Sequence, residues 1–388
     1  MAHSSLTDAR NAKNDEFYTQ YADIEAEMNA YVEFNPDVFR GKTILLPCDD
    51  PEWSNFTKYF ASNFERFGLK KLISTSYAKG AGNKQLTLFE ESSPLYDAEL
   101  HDIRGKLFTL THDTDGSGNI DIDDIEFSGY LNGDGDFRSE EVCKLRDTAD
   151  IIITNPPFSL FREFLAWILE GNKQFIILGN MNAITYKEVF PCLKENKIWL
   201  GYKSLNNDMY FNVTDEYKQW LLENKKEGSA YKIINGIVMG RLASACWFTN
   251  IDHGKRHEVL QLDTMAHNLK FNKKLKKKFD EHGVNEYPHY DNYDAIEVPF
   301  TECIPSDYDG VMGVPITFLD KYNPEQFEIL GLSSYIGCNT LPFFHRVSND
   351  IQKQLVGGNV WMPILHTNDS YNYSYRRLFI RKRLSTHF

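Results

Sequence analysis

The chain has 388 residues, too long for one ordinary domain, and fits two, or one large domain with an appendage. Its 42% hydrophobic content is enough for a sizeable core, and no run of 18 apolar residues offers a membrane span. The net charge of −13 argues at first sight against a polyanionic partner.

The distribution of that charge weakens the objection. Residues 90–150 hold 17 Asp/Glu against 5 Lys/Arg, so the rest of the chain is close to neutral. Within that remainder lie two basic clusters: Lys270, Lys273, Lys274, Lys276, Lys277 and Lys278, then Arg376, Arg377, Arg381, Lys382 and Arg383. Each is either a solvated face or a local polyanion contact. The six cysteines show no CxxC or zinc-ribbon spacing, and the first 17 residues lack an apolar h-region. Both features read as a reduced, cytoplasmic protein. No heptad or apolar stripe demands a dimer, so a monomer is expected.

In chain order, residues 1–14 are polar, and residues 15–34 have helical spacing with Ile24, Met28 and Tyr31 on one face. Asn35-Pro36 stops that helix. Thr43–Leu46 reads as a short buried strand ending in a polar turn. Residues 55–67 form an amphipathic helix closed by Gly68, and 69–77 a second strand. Strand, helix, strand is a βαβ unit and predicts a parallel sheet. Residues 79–140, rich in Gly, Asp, Ser and Asn, read as an acidic insertion with strand candidates at 104–112 and 125–131. A helix capped by Ser139, a strand at 150–154, a helix ending at Gly171 and a strand at 173–180 resume the alternation. The first half is therefore α/β and doubly wound. Beyond residue 200 the strand-like runs are NDMYFNV, YKIINGIVM and SACWFTNI; NLKFNKKLKKKF is a basic helix or arm.

The segment that carries chemistry is Asn155-Pro156-Pro157-Phe158, between an apolar strand and a helix. In an open parallel sheet that junction lies at the carboxyl edge, where ligands bind. Two prolines stiffen the turn and remove two N–H donors while their carbonyls still accept. An amide oxygen from Asn155 and the Pro156 carbonyl form a pair of acceptors suited to an aromatic amine. Accepting both amine hydrogens favours a more sp3-like nitrogen whose lone pair can attack. Phe158 can stack on the ring that carries the amine. A plain Pro-Pro helix start would look the same in isolation; the flanking strand and helix favour the chemical reading.

DEFYTQYADIE, CDDPEWSNFTKYF, NGDGDFRSEEV, ADIIITNPPFSLFREFL and GVPITFLDKYNPEQFEILG resemble the EcoRI-type adenine-specific DNA methyltransferases, over roughly residues 13–335. The resemblance implies a Rossmann-like fold that binds S-adenosylmethionine and methylates N6 of an adenine flipped out of duplex DNA, with a GAATTC-like site. It implies that Phe17, Tyr18 and Thr19 lie near the methionine part of the cofactor. Pro47, Cys48, Asp49 and Asp50 stand where the family has a glycine-containing loop; an acid there can meet the methionine ammonium. Asp136 resembles the acid that accepts from the cofactor adenine, with Phe137 stacked beside it. Ser74-Thr75-Ser76-Tyr77 offers no acid to the ribose. Motif order places the catalytic domain at 1–255 and a recognition region at 256–388, with the GVPITF stretch as a segment that could return to the catalytic body. Tyr202, Tyr210, Trp247 and Phe248 are candidates for holding the flipped base. A cognate restriction endonuclease is a functional partner, an orphan enzyme the other option.

A competing feature is Asp113, Asp115, Ser117, Gly118, Asn119, Ile120, Asp121 and Asp124, close to an EF-hand loop. Asp replaces Glu at position 12 and a strand precedes the loop, so a solvated acidic turn is favoured over a cation site. No metal is assigned. Two other functional readings remain: a methyltransferase for RNA adenine or a protein glutamine, and a non-catalytic calcium-modulated binding protein on the same fold.

Overall fold

The computed structural model describes residues 19–47, 49–51, 54–78, 93–203, 209–213, 215–242, 244–334, 341–355, 361–367 and 370–383. It divides into two compact units. One takes the described residues up to Ala183 together with Ile198–Gly254; the other takes Ile184–Lys197 and those from Lys255 onward.

The first unit is built on an eight-stranded mixed sheet of order β4-β3-β2-β1-β5-β6-β11-β7. Its strands are β1 (Thr43–Leu46), β2 (Lys71–Ser76), β3 (Lys106–Leu110), β4 (Glu126–Tyr130), β5 (Ile151–Thr154), β6 (Gln174–Asn180), β7 (Trp199–Leu200) and β11 (Ala245–Thr249). Strands β2, β1, β5 and β6 are mutually parallel. Their short runs, TILL and IIIT among them, are buried throughout, as expected for strands covered on both faces. Ile44, Leu46, Ile151, Ile153, Ile176 and Leu178 join one core with helices α1 (Tyr21–Phe34), α2 (Asn55–Ser62) and α3 (Phe64–Phe67). Helix α4 (Glu140–Thr148) packs on β1 and α5 (Phe161–Glu170) on β6. The 55–67 helix is interrupted at Asn63, and Gly68 closes it with φ 62°.

Two expectations change here. The sheet is mixed, not parallel throughout: β11 runs antiparallel to β6, and β7 antiparallel to β11. The acidic stretch is also not a separate insertion over its described length. β3 pairs antiparallel with β2, and β4 with β3, so 106–130 extends the central sheet. An antiparallel hairpin can add to a sheet edge without the crossover helix that a parallel strand needs.

Between β7 and β11 a second sheet is inserted, of order β8-β10-β9: β8 (Met209–Phe211), β9 (Tyr231–Ile234) and β10 (Ile237–Leu242). Helix α7 (Asp215–Asn224), so numbered after α6 (Phe190–Lys194) of the second unit, contributes Tyr217 and Leu221 to a small core with Val213 and Tyr231. YKIINGIVM is a hairpin, not one strand, turned at Asn235-Gly236.

In the second unit β12 (Ile296–Glu297), β13 (Met312–Pro315), β17 (Arg377–Lys382) and β14 (Phe327–Leu332) form a four-stranded sheet. The GVPITF stretch lies in this unit. Strands β15 (Ile364–Thr367) and β16 (Ser370–Tyr373) pair separately. The basic run becomes two helices, α8 (Met265–Phe271) and α9 (Lys273–Glu281), with Asn272 capping α9 by accepting from Leu275 N. A last short helix, α10, spans Asn349–Gln354.

Candidate active site

Strand order changes direction between β1 and β5, since β2 lies on the far side of β1 and β6 on the far side of β5. Such a switch point opens a crevice at the carboxyl ends of the strands. Both chemistry-bearing turns are there: Pro47 to Asp50 after β1, and Asn155 to Phe158 after β5.

Asp49 ties the two turns together. Its carboxyl is almost fully buried and accepts from Ser54 Oγ at 2.7 Å, while its other oxygen lies 2.6 Å from Thr154 Oγ1. Ser54 is also the N-cap of α2, accepting from Phe56 N and Thr57 N. The Asp49 carbonyl is held by Thr57 Oγ1 at 3.2 Å and by Ser74 Oγ of β2. Burial pushes the Asp49 carboxyl up to about 7, against the lowering effect of the Thr154 and Ser54 hydrogen bonds. Proton inventory agrees with a neutral form. The single Thr154 hydroxyl lies 2.8 Å from the Pro47 carbonyl as well as 2.6 Å from Asp49. One hydroxyl proton cannot serve two acceptors. A protonated Asp49 donates to Thr154, which donates to Pro47, and every group is satisfied.

Asn155 follows Thr154 directly. Its Nδ2 donates to Thr19 Oγ1 at 3.3 Å, and Asn55 of α2 donates to the Thr19 carbonyl at 2.7 Å. Thr19 is buried and stands two residues before α1. Three stretches distant in sequence therefore converge on one corner. Pro156 is buried; Phe158 opens a single 3-10 turn and packs half-buried against the main core.

A sequence model of the adenine-specific methyltransferase EcoRI matches residues 5–383. The chain belongs to the EcoRI-type adenine-specific methyltransferase family. It is 43% identical over 326 residues to the Type II methyltransferase M.EcoRI of Escherichia coli, covering 84% of this chain and 88% of that protein. It is 35% identical to Type II methyltransferase M.MgeORF184P of Mycoplasma genitalium, over 83% of this chain and 84% of that one. Identity to Type II methyltransferase M.MpnI of Mycoplasma pneumoniae is 34%, over 83% of each. No solved structure matches significantly.

The methyltransferase needs a methyl donor, and several residues expected to hold it sit along the same edge. Asp50 is half-exposed, in contrast to buried Asp49, so it is the acid of the pair that keeps solvent access. Asp136 lies in a loop that approaches the end of β2: Ala78 N donates to the Asp134 carbonyl at 2.7 Å. Gly135, with φ 88°, permits that approach, since a Cβ there would lie 2.4 Å from the Ser76 carbonyl oxygen. Arg138 holds the Asp136 carboxyl below its ordinary range through a bidentate pair, Nη2 to Oδ2 at 2.6 Å and Nε to Oδ1 at 2.9 Å. Phe137 is buried edge-on against Phe164 and Trp167. Its ring packs in the core. Phe17, Tyr18 and Cys48 lie outside the described residues.

Other expectations are corrected. Trp247 and Phe248 are fully buried on β11 and cannot hold an extrahelical base, while Tyr202 is exposed and Tyr210 half-buried. The C-terminal basic cluster leaves Arg376, Arg381 and Arg383 exposed, but most of its charges have partners within the chain. Arg377 is buried in an ion pair with Glu297 of β12; Arg381 pairs with Glu328, Lys382 with Asp309, and Arg383 donates to the Pro324 carbonyl. On α9 the basic face survives: Leu275 and Phe279 turn inward, leaving Lys273, Lys276 and Lys277 exposed, with Lys274 paired to Glu302.

In the EF-hand-like loop the Asp113, Asp115 and Asp124 oxygens come within 4.8 Å of one another. Asp124 accepts backbone N–H from Thr114 and Asp121, and Asp113 from Gly116 and Gly118. These bonds close the turn from within. Ser54, Thr57 and Thr154 were missed in the sequence; only the Ser54 capping position carried a readable signal. Among the described residues no helix is long and apolar enough to cross a membrane.

Proposed function

We propose that the chain transfers a methyl group from S-adenosylmethionine to N6 of an adenine extruded from duplex DNA. The catalytic residues are Asn155, Pro156, Pro157 and Phe158, on a doubly wound Rossmann-like body. The observation that supports this most is the convergence of Thr19, Asp49 and Asn155 at the switch point, with the Asn155 amide already oriented through its nitrogen. Its Oδ1 and the Pro156 carbonyl would then accept the two N6 hydrogens. The amine lone pair is freed from the ring and aimed at the methyl carbon. No strong base is needed, because the nitrogen sheds its proton after transfer. Most of the barrier reduction comes from orientation. Phe158 would stack on the purine.

The donor supplies an electrophilic methyl on a sulfonium centre. The residues present fit it: Asp50 is an accessible acid for the methionine ammonium, Thr19 flanks that end, and Asp136 stands beyond β2 for the adenine amino group. Pro47 and Asp49 shape the floor. No acid at the end of β2 meets the ribose.

Residues 256–388 act as the recognition region, with α9 on DNA phosphates. The names of the relatives, Type II methyltransferases, support a site-specific enzyme paired functionally with a restriction endonuclease. Plasmid DNA from cells expressing the chain, digested to nucleosides and analysed by mass spectrometry, should contain N6-methyl-2′-deoxyadenosine, and single-molecule sequencing of the intact plasmid should place it in one sequence. Methyl groups only on RNA or protein would overturn the reading.

A further inference from the structure

The three-stranded sheet leaves and rejoins the central sheet at the edge that carries Asn155. β7 runs out at Gly201, whose N–H meets the Trp247 carbonyl, and the chain returns at Ser244. Ser244 accepts from Asn180 Nδ2 at 2.7 Å and from Met181 N at 2.6 Å, at the carboxyl end of β6. The departure point is pinned by buried Glu27 of α1, which accepts from Tyr202 N at 2.7 Å and Lys203 N at 2.6 Å. The helix that holds this root begins two residues after Thr19, the partner of Asn155.

The far end of the excursion is the β9–β10 hairpin. Asn235 and Gly236 both have positive φ, 52° and 79°, the tight turn that matches strand twist and sets a rigid tip. Four cross-strand pairs run back from it, from Ile234–Ile237 to Tyr231–Gly240. Helix α7 covers the base of the hairpin around Tyr231 and Gly240. Next to the Asn235-Gly236 tip, apolar side chains are exposed on both faces of the hairpin: Ile233 at 44% on one, and on the other Ile237 at 49% beside its half-buried cross-strand partner Ile234. The flanking segment 225–241 holds Lys225, Lys226, Lys232 and Arg241 against one acid, Glu227, in a chain of net charge −13. An apolar, stiff projection with a basic surround, rooted at the catalytic edge, has the chemistry of a side chain wedge that enters a base stack.

We propose that Ile233 and Ile237, one on each face of the hairpin, form such a wedge, inserted into duplex DNA beside the target adenine as that base is extruded. The proposal rests on the extrusion reading above. Once the site methylated in plasmid DNA is mapped, two duplexes carrying it are needed, one fully paired and one with the target adenine opposite an abasic position. Single-turnover transfer of tritiated methyl is measured on both, for the parent and for Ile233→Ala/Ile237→Ala. Thermal melting and donor affinity of the variant serve as fold controls. The double variant should be slowed about tenfold or more on the paired duplex and less than about threefold on the abasic one, where unstacking is already prepaid. Equal slowing on both, or none on either, overturns the wedge. So does a parent dimer that the double variant dissociates without loss of rate on the paired duplex. A parent that labels neither duplex instead overturns the functional reading and removes the ground for the wedge.

Discussion

At the scale of single residues, the corner depends on how one hydroxyl proton and one carboxyl proton are shared. Asp49, Thr154 and the Pro47 carbonyl make a chain in which, among the described residues, only a neutral Asp49 leaves no unpaired acceptor. Because burial raises the folded-state pKa of Asp49 to about 7 from 3.8, the folded protein holds this proton more tightly than the unfolded chain. The stabilisation is complete below pH 4 and is lost as pH rises through about 7. Asp49→Asn mimics the protonated acid, donating to Thr154 and accepting from Ser54. Its melting-temperature advantage over the parent should be larger at pH 8.5 than at pH 5, by the equivalent of about 1–3 kcal/mol. A gap that is constant with pH would mean that Asp49 is ionised throughout.

For elements, the loop 133–137 is the clearest case of backbone setting a site. Gly135→Ala places a Cβ against the Ser76 carbonyl at a φ that disfavours side chains. The loop carrying Asp136 must move, so donor affinity should fall by about tenfold or more, with a stability loss of about 1–3 kcal/mol. Unchanged affinity by calorimetry would remove Asp136 from the donor site. Helix α9 invites a second test. Lys276→Glu/Lys277→Glu should weaken DNA binding and reduce the slope of log affinity against log salt by about one or two units. If neither changes, α9 is only a solvated face. The two basic clusters looked alike in the sequence, and what separates them is partners 80 and 53 residues away, Glu297 for Arg377 and Glu328 for Arg381.

Across the whole molecule, what could be read from sequence is what neighbours in the chain decide. The β1–α2–β2 alternation, the Ser139 cap and the Asn155-Pro156-Pro157-Phe158 corner are local patterns, and the structure carries each of these elements. The Thr154–Asp49 contact spans 105 residues, and nothing local announces it. Alternating KLFTL and EFSGY announced two strands inside the acidic stretch, but not that they extend the central sheet, because the pairing of β3 with β2 is non-local. Asn235-Gly236 was the opposite failure: a strong turn dipeptide lay inside an apolar run that reads as one strand. In the second unit, Glu297 and Arg377 join β12 to β17 as a buried pair. Glu297→Gln strands the guanidinium and should lower stability by about 3–5 kcal/mol in chemical denaturation. A loss below about 1 kcal/mol would show that the pair is not desolvated in solution.

The central claim is that Asn155 orients the amine that accepts the methyl group. It is tested most directly by single-turnover transfer of tritiated methyl to a duplex holding the mapped site, comparing Asn155→Ala with the parent at saturating donor. The account predicts a loss of at least about a hundredfold in rate, with donor affinity within about threefold of the parent. A variant that transfers at the parental rate, or that fails only because it no longer binds the donor, would contradict it.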